Sequence, residues 1–250
     1  MVNAIPAAVE LIKKARHAVA FSGAGISTAS GIPDFRSPES GLWERYSPGE
    51  VASYQAFKQT PSHFYDWIRP LFLRAQEAEP NPAHRSLAAL QDMGYLQEII
   101  TQNIDGLQQK AGAKDVIELH GSASTATCPN CRTQYSTDEI MALYIQKQSI
   151  PHCSLCRSVI KPDVVLFDEL LPENAWHEAN TAVEKADLVI VVGSSLSVYP
   201  ANMLPAAAHR NGAKIIINSL APTENDGIAD VLLREGCEFV LPQIVAILES

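Results

Sequence analysis

Two pairs of cysteines constrain the fold of this 250-residue chain more than any other feature. Cys128 and Cys131 form the first pair, and Cys153 and Cys156 form the second. Each pair can offer two thiolates to one metal ion, and two pairs complete a tetrahedral site with no position left for water. A redox motif needs only one such pair, usually at a helix start. The spacing therefore predicts one structural zinc ion (Zn²⁺) held by all four cysteines.

The balance of charges limits the classes of partner that the chain can bind. It carries 19 basic and 28 acidic residues, and its formal net charge is −9. A protein that grips the backbone of a nucleic acid needs a basic surface, so we expect no direct nucleic-acid partner. An acidic surface suits a basic partner better, such as a lysine-rich peptide.

The beginning of the chain and its hydrophobic runs bear on its location. The first six residues lack a basic region followed by an apolar run, so no signal peptide is predicted. The longest strongly apolar runs, such as Leu188–Val192, are far shorter than a membrane span. Cysteines in tight pairs are typical of a metal site in a reducing compartment. We expect a cytoplasmic protein with no membrane partner.

Short apolar runs alternate with helical patterns along most of the chain. Helices are predicted from Asn81-Pro82, from Pro172 and from Pro242. Strands are predicted at residues 18–21, 98–101, 116–119, 164–167, 188–192, 214–217 and 237–240. Most of these runs are rich in Val, Ile and Leu, which is typical of parallel strands covered on both faces. The alternation predicts an α/β fold with a Rossmann-like, doubly wound parallel sheet.

Two segments interrupt this alternation and predict a second, smaller lobe. Residues 36–80 contain several prolines and aromatic residues but no clear strand, and residues 127–158 contain the cysteine pairs with a short helix between them. We expect a small lobe made of a helical module and a zinc ribbon from these two segments. The dinucleotide-binding large domain then comprises residues 1–35, 81–126 and 159–250.

Glycines follow the first predicted strand. Gly23 and Gly25 would let the backbone approach a diphosphate, and the N–H groups of a helix start bind anionic oxygens. However, Thr28 stands where a third glycine is usual, and the expected acidic residue about 20 positions further on is absent. Taken alone, an ordinary tight turn explains this motif equally well.

Polar residues follow three further predicted strands, where ligands of open α/β sheets bind. The segment 101–106 contains Asn103 and Asp105, and the segment 118–121 contains His120. The segment 193–195 reads Gly-Ser-Ser. Considered singly, each of these segments is better explained as a turn or a solvated loop.

Taken together and in this order, the motifs resemble those of the sirtuins, the NAD-dependent protein deacylases, and most closely the compact bacterial or archaeal members. The resemblance covers nearly the whole chain. The matching residues are 23–27, 31–36, 101–106, His120-Gly121, the four cysteines, 161–165, 193–195 and Asn218.

The resemblance implies that NAD, as a co-substrate, and an acylated lysine of a protein or peptide enter a cleft between the two lobes. The residues that it assigns to NAD are Gly23, Ala24, Gly25, Thr28, Asp34, Phe35, Arg36, Gln102, Asn103, Ile104, Asp105, Gly193, Ser194, Ser195, Asn218 and Cys237. The residues that it assigns to the peptide are Val165, Phe167, Ser197, Val198 and Tyr199.

His120 corresponds to the catalytic histidine of the family. In the implied reaction, the acyl oxygen attacks C1′ of the nicotinamide ribose as nicotinamide leaves, and a neutral imidazole then takes a proton from the ribose diol. An unperturbed histidine pKa near 6.5 suits this task. Asn103 and Asp105 would hold the reactants in position.

The sequence departs from the family at two places. Where sirtuins have Phe-Gly-Glu, this chain has Phe167-Asp168-Glu169, which adds a charge and restricts the backbone. Family members that remove acidic acyl groups have a Tyr and an Arg three residues apart in the chain, whereas Tyr65 and Arg69 are four residues apart. We therefore expect a packing or surface role for both residues.

Several alternative functions remain at this point. Within the family these are a mono-ADP-ribosyltransferase and a deacylase for longer or acidic acyl groups. Outside it are a hydride-transferring dehydrogenase and a zinc-ribbon binding module that uses NAD only as a ligand.

Overall fold

The computed structural model describes residues 4–37, 41–147 and 149–250. The predicted small-lobe segments 36–80 and 127–158 include residues 38–40 and 148, which lie outside this described part. The helices are α1 Ile5–Lys14, α2 Pro48–Val51, α3 Tyr54–Gln59, α4 Pro61–Glu77, α5 Pro82–Asp92, α6 Leu107–Lys110, α7 Thr137–Lys147, α8 Glu173–Lys185, α9 Met203–Arg210 and α10 Cys237–Leu248. Shorter 3₁₀ helices span Ala24–Ser30, Leu42–Glu44 and Asp226–Ile228.

The strands form two sheets. The strands are β1 Ala18–Ser22, β2 Glu98–Thr101, β3 Val116–Glu118, β4 Gly121–Thr127, β5 Gln134–Ser136, β6 Lys161–Val164, β7 Leu188–Val192, β8 Lys214–Asn218 and β9 Val231–Leu233. The large sheet has the order β3-β2-β1-β7-β8-β9, and all its pairings are parallel. Phe21 of β1 lies opposite Ile100 of β2 and Val191 of β7. The predicted doubly wound parallel sheet is confirmed.

Helices cover both faces of the large sheet because successive strand residues point to opposite sides. On one face, Ile190 of β7 packs in a cluster with residues of α1, α5 and α10, including Leu87 and Ile244. On the other face, the neighbouring Val191 packs with residues of α8 and α9, including Val183 and Leu204. The strands β1 and β7 are buried along their whole length, which explains their near-continuous apolar sequence.

The second sheet is antiparallel and has the order β5-β4-β6. Helix α7 lies between β5 and β6 in the chain, and its Ile140 packs with Cys128 and Cys153. The fourth helix carries an aromatic cluster in which Phe64 and Tyr65 are fully buried. The cysteine-bearing sheet and the helical module thus have hydrophobic cores separate from those of the large sheet.

Two of the predicted strands are wrong. Only Val164 of the segment 164–167 lies in a strand, and that strand is β6 of the small antiparallel sheet. The chain turns after this segment because Asp168 adopts a φ of 71°. The segment 237–240 is the first turn of α10, so the last helix begins at Cys237 and Pro242 lies inside it. A short apolar run cannot distinguish a buried strand from a buried helix by periodicity. In the described part of the chain, no helix combines the length and the apolar character that a bilayer crossing requires.

Candidate active site

The carboxyl ends of β1 and β7 form the centre of the site. The strand order reverses between these neighbours, which is where ligands bind in open α/β sheets. The N–H of Gly25 donates to the carbonyl of Gly193 at 2.8 Å. A Cβ atom added to Gly25 would lie 2.7 Å from that carbonyl oxygen, and one added to Gly193 would lie 2.3 Å from the nitrogen of Ile26. The two glycine loops therefore pack backbone against backbone, and a side chain at either position would fill their contact.

The turn after β2 places Asn103 and Asp105 beside the first glycine loop. The Nδ2 of Asn103 donates to the carbonyl of Gly23 and to the hydroxyl oxygen of Ser27, both at 3.2 Å. The hydroxyl of Ser27 donates to Oδ2 of Asp105 at 2.7 Å. The other carboxylate oxygen of Asp105 accepts from the N–H of Leu107 at 2.9 Å. Both side chains are therefore oriented by residues that lie far from them in the sequence.

His84, near the start of α5, completes this network. The N–H of Asn81 donates to Nδ1 of His84 at 3.3 Å, so the neutral ring carries its proton on Nε2. That nitrogen lies 3.3 Å from the oxygen of Ser27, to which it donates. Burial lowers the pKa of His84 to about 4, although the charge of Asp105 opposes this shift. The ring is therefore neutral at pH 7. His84 donates a hydrogen bond to Ser27, and Ser27 donates one to Asp105.

Ser27 and His84 were not among the predicted site residues, and Asn81 was predicted only to begin a helix. Ser27 and His84 are fully buried polar residues. The capping box that Asn81 and His84 form at the start of α5 is readable from their spacing of three. No local signal joins His84 to Ser27, because the two residues are 57 positions apart.

His120 lies between β3 and β4, with its ring directed to the turn after β2. Its Nδ1 is 2.9 Å from the carbonyl oxygen of Gln102. Since a carbonyl oxygen can only accept, Nδ1 carries the proton of the neutral ring and Nε2 keeps its lone pair. Burial lowers the pKa of His120 below its usual 6.5, although the hydrogen bond to Gln102 opposes the shift. At pH 7, His120 is a neutral base in one tautomer.

The loops after β7 and β8 supply a second polar surface. The Nε2 of Gln102 donates to the hydroxyl of Ser194 at 2.8 Å. The Nδ2 of Asn218 donates to the carbonyls of Leu233 at 3.1 Å and Glu235 at 2.8 Å. The buried Oδ1 of Asn218 accepts no hydrogen bond from the residues that the structure describes. An unsatisfied acceptor beside the glycine loops fits a ligand that carries hydroxyl donors, such as a ribose.

The segment after the first 3₁₀ helix contains Asp34, Phe35 and Arg36. The carboxylate of Asp34 accepts from the N–H groups of Arg36 at 2.9 Å and Ser37 at 2.7 Å. Phe35 stacks on Trp43 with 5.0 Å between the ring centroids. Burial lowers the pKa of Arg36, although Asp34 opposes this shift. Arg36 is an exposed residue by accessible surface, so its guanidinium is free to bind an anionic ligand from the solvent side.

The other residues assigned to NAD lie around the same loops. Ala24 begins the first 3₁₀ helix, and the hydroxyl of Thr28 donates to the carbonyl of Gly25 at 3.0 Å. The Sγ of Cys237 lies 4.0 Å from the same carbonyl oxygen, and burial raises the pKa of this thiol to about 12. Ile104 instead packs against the aromatic cluster of the small lobe. The residues of the two glycine loops and of the turn after β2 thus lie together at one edge of the sheet, whereas Phe35 and Ile104 contact aromatic residues outside it.

The predicted peptide-binding residues lie on two segments. The N–H of Val165 donates to the carbonyl of His120 at 2.8 Å. Phe167 exchanges two hydrogen bonds of 2.9 Å with residues 52 and 54 of the helical module, and its ring contacts Trp43 edge to face. On the loop after β7, Ser197 shares a hydrogen bond of 2.8 Å with Ser195. Val198 accepts from the N–H of residue 202 at 2.9 Å, and Tyr199 is 76% exposed.

The four cysteines converge as the spacing predicts. Their Sγ atoms all lie within 4.8 Å of one another, and the pairs Cys128–Cys156 and Cys131–Cys153 are 3.4 Å apart. Zinc–sulfur bonds of about 2.3 Å in a tetrahedron place sulfurs roughly 3.8 Å apart, so the cluster fits one zinc ion. A closed set of four thiolates leaves no position for a reacting water, so this centre is structural.

The two cysteine knuckles have matching backbones. The N–H of Arg132 donates to the carbonyl of Cys128 at 3.0 Å, and the N–H of Arg157 donates to that of Cys153 at the same distance. The φ angles of the two arginines are 65° and 66°. The hydroxyl of Tyr135 donates to Sγ of Cys153 at 3.1 Å. The backbone hydrogen bonds give both knuckles the same turn, and the Tyr135 hydroxyl adds a donor to the thiol at the second knuckle only.

The comparisons with known proteins agree with this geometry. A model of the Sir2 family matches residues 23–200. The NAD-dependent protein deacetylase of Saccharolobus solfataricus is 47% identical over 238 residues, which are 95% of this chain and 94% of the relative. One solved structure is described as "Structural Basis for the Mechanism and Regulation of Sir2 Enzymes". It has a TM-score of 0.94 and 44% sequence identity, and the match covers 100% of this chain and 99% of the solved chain. The solved structure of a Sir2 variant with deacetylated p53 peptide and 3′-O-acetyl ADP ribose has a TM-score of 0.91 and 38% identity. The match covers 98% of this chain and 97% of the solved chain.

The matched span contains the glycine loops, His120 and all four cysteines. It covers more than half of the chain, and the archaeal relative is similar along nearly the whole length. This chain belongs to the Sir2 family.

Proposed function

We propose that this chain is an NAD-dependent protein-lysine deacetylase. It transfers the acyl group of a modified lysine to the ADP-ribose part of NAD, consumes one water, and releases nicotinamide and the free lysine. The observation that carries this proposal is His120, a partly buried, neutral imidazole that the carbonyl of Gln102 holds in one tautomer. The name of the Saccharolobus relative and the products bound to the Sir2 variant support the same reaction.

NAD supplies the chemistry that side chains lack, since its ribose C1′ becomes electrophilic as nicotinamide leaves. His120 takes a proton from a ribose hydroxyl through Nε2, because Nδ1 is bound to Gln102. Proton transfer by a positioned side chain typically contributes ~10²–10⁴ in rate. A lowered pKa keeps this base unprotonated at neutral pH.

Asn103 and Asp105 bind the nicotinamide end of NAD and hold it for reaction. Their side chains are oriented by Ser27, which is itself held by His84. Fixed orientation of this kind lowers the entropic cost of reaching the reactive geometry. The glycine loops form the diphosphate site, and their close packing on each other depends on the absence of Cβ atoms at Gly25 and Gly193. Asn218 accepts from a hydroxyl of the adenosine ribose through its unsatisfied oxygen.

The acylated lysine enters between Val165–Glu169 and the loop after β7. Phe167 is 42% exposed and faces Trp43, so an apolar surface borders the lysine stem. Tyr65 does not line this path: it is fully buried, and its hydroxyl donates to the carbonyl of Ile160 at 2.6 Å. The packing role predicted for Tyr65 is confirmed. A neutral acyl group therefore fits the site better than an acidic one.

The division into two lobes follows the two sheets. The antiparallel strands β4 and β6 pair with each other at Gly121 and Val164, beside His120. We infer that the large domain and the small lobe meet near residues 120 and 165, so that His120 lies at the junction. The structural zinc would stabilise the small lobe without taking part in the reaction.

The direct test is mass spectrometry of an acetyl-lysine peptide incubated with the protein and NAD. The expected products are the deacetylated peptide, nicotinamide and O-acetyl-ADP-ribose in equal amounts. The matched control is His120→Ala, which should bind NAD but leave the peptide acetylated. A peptide that stays acetylated with the unaltered protein would contradict the proposal.

The same experiment separates the alternative functions. A mono-ADP-ribosyltransferase would release nicotinamide but add ADP-ribose to protein. A dehydrogenase would produce NADH, which absorbs at a wavelength where NAD does not. A binding module would bind NAD without consuming it. Peptides that carry longer or acidic acyl groups, offered in parallel, would identify the preferred acyl chain.

A further inference from the structure

The segment Val165–Glu169 joins three parts of the protein. Its first residue donates to the carbonyl of His120, and Phe167 exchanges hydrogen bonds with residues 52 and 54 of the helical module. The segment closes a turn in which the N–H of Glu169 donates to the carbonyl of Leu166 at 3.1 Å. Any shift of this turn would therefore move the wall that faces the acylated lysine.

A lysine–glutamate ion pair spans this turn. The Nζ of Lys161 lies 2.9 Å from Oε2 of Glu169, and it also donates to the carbonyl of Val164 at 2.7 Å and that of Pro162 at 3.3 Å. The same oxygen of Glu169 accepts from the N–H of Leu166 at 2.9 Å. The three protons of the ammonium group thus have three acceptors. The pair connects Lys161, the first residue of β6, to the final residue of the segment.

This pair is more protected from water than the other ion pairs of the described residues. The side chains of Lys161 and Glu169 are 13% and 24% exposed, whereas the comparable pair of Lys214 and Asp230 is 59% and 27% exposed. Removing one partner of a buried pair leaves a charge that is neither hydrated nor neutralised. The turn would then rearrange to reach water or another partner.

We propose that Lys161 and Glu169 are positioning residues for the acylated peptide. The pair holds the turn that contains Phe167 in the conformation that accepts the peptide. Neither side chain of the pair hydrogen-bonds to the glycine loops among the described residues, and those loops are held by their own backbone contacts. Loss of the pair therefore weakens the binding of peptide and leaves the binding of NAD unchanged. This inference rests on the proposed function, because that function makes the segment a peptide site.

The variants are Glu169→Gln, Glu169→Ala and Lys161→Met. Glu169→Gln keeps an acceptor for Leu166 and for Lys161 but removes the negative charge. We expect dissociation constants for an acetyl-lysine peptide to rise about tenfold for Glu169→Ala and Lys161→Met, which corresponds to about 1.4 kcal/mol. Glu169→Gln should give a smaller rise. The dissociation constant for NAD should change less than twofold in all three variants.

The matched control is Lys214→Met. Lys214 also pairs with a carboxylate at 2.8 Å, and that carboxylate, on Asp230, also accepts from a backbone N–H at 2.9 Å. It begins β8, at the end of the sheet opposite the glycine loops. Lys214→Met should change neither dissociation constant.

Calorimetry of peptide binding and of NAD binding, with melting temperatures, distinguishes the outcomes. Equal weakening of peptide and NAD binding, or lower melting temperatures with unchanged peptide affinity, would assign the pair a general structural role and overturn the inference. If the unaltered protein binds peptide through the pair but does not deacetylate it, the proposed function fails while the inference stands. If peptide binding is absent from the unaltered protein, both fail.

Discussion

Replacement of Gly121 by alanine tests whether the contact beside His120 depends on the absence of a side chain. Gly121 has a φ of 72°, and a Cβ atom there would lie 2.0 Å from the backbone carbonyl oxygen of Asp163. The left-handed conformation costs a non-glycine residue about 1–2 kcal/mol. Forcing extra atoms into a packed contact typically costs about 1–3 kcal/mol. We therefore expect Gly121→Ala to lower the free energy of unfolding by about 2–5 kcal/mol.

Gly94 provides the matched control for this change. Its φ is 80°, but a Cβ atom there would meet nothing within 4 Å. Gly94→Ala should therefore show the conformational cost alone, about 1–2 kcal/mol. For a protein of this size, each kcal/mol corresponds to about 2–4 °C in melting temperature. The difference between the two variants measures the clash with Asp163.

The assay is denaturant unfolding of both variants, followed by deacetylation kinetics under conditions where both are folded. Gly121→Ala should also lower kcat, since relief of the clash would separate β4 from β6 and move the adjacent His120. Gly94→Ala should keep its activity. The reasoning would be refuted if Gly121→Ala lost no more stability than Gly94→Ala.

Three further predictions follow from the site. His120→Ala should lower kcat by ~10²–10⁴ without loss of NAD binding. In the unaltered protein, His120 must be unprotonated to act as a base. Its pKa lies below 6.5, so kcat/KM should fall only when the pH decreases through that lowered pKa. An acid limb centred above pH 6.5 would contradict this assignment. Elemental analysis should find one zinc per chain, and Cys153→Ala should lose the ion and unfold the small lobe; active protein without zinc would exclude the site. Asp168→Asn should reduce the preference for peptides with basic flanking residues a few-fold, because it removes an exposed negative charge that attracts them. The measurement needs low salt, because at 0.1 M salt this attraction is screened over about 10 Å. Asparagine also tolerates the φ of 71° at this position, so an unchanged preference would mean that the charge is incidental.

The features that the sequence determines are local ones. A redox motif needs only one pair of cysteines separated by two residues, so two such pairs predict the zinc site before any fold is known. The apolar runs of β1, β2, β7 and β8 are readable because both faces of these strands are buried. The glycine loops, His120 and the turn after β2 follow such strands, which is enough to place them at one edge of a parallel sheet.

The tertiary structure decides what local patterns leave ambiguous. The run 237–240 reads equally well as a strand or a helix, and packing of α10 against α1 and α5 resolves it as a helix. The segment 164–167 resembles a buried strand, but the φ of Asp168 turns the chain there. Distant residues act in both cases, since α10 packs against α1 and α5, and Phe167 hydrogen-bonds to residues 52 and 54.

The orientation of the proposed catalytic groups is also a tertiary property. The tautomer of His120 is set by the carbonyl of Gln102, 18 residues away, and Asp105 is oriented by Ser27, 78 residues away. A sequence pattern shows which side chains follow a strand, because side-chain direction repeats along a strand. It does not show which donor meets which acceptor, because that depends on how separate segments pack. The sequence thus predicts which side chains follow the strands, whereas the support from Ser27 and His84, and the protonation and orientation of His120 and Asp105, were decided only by the fold.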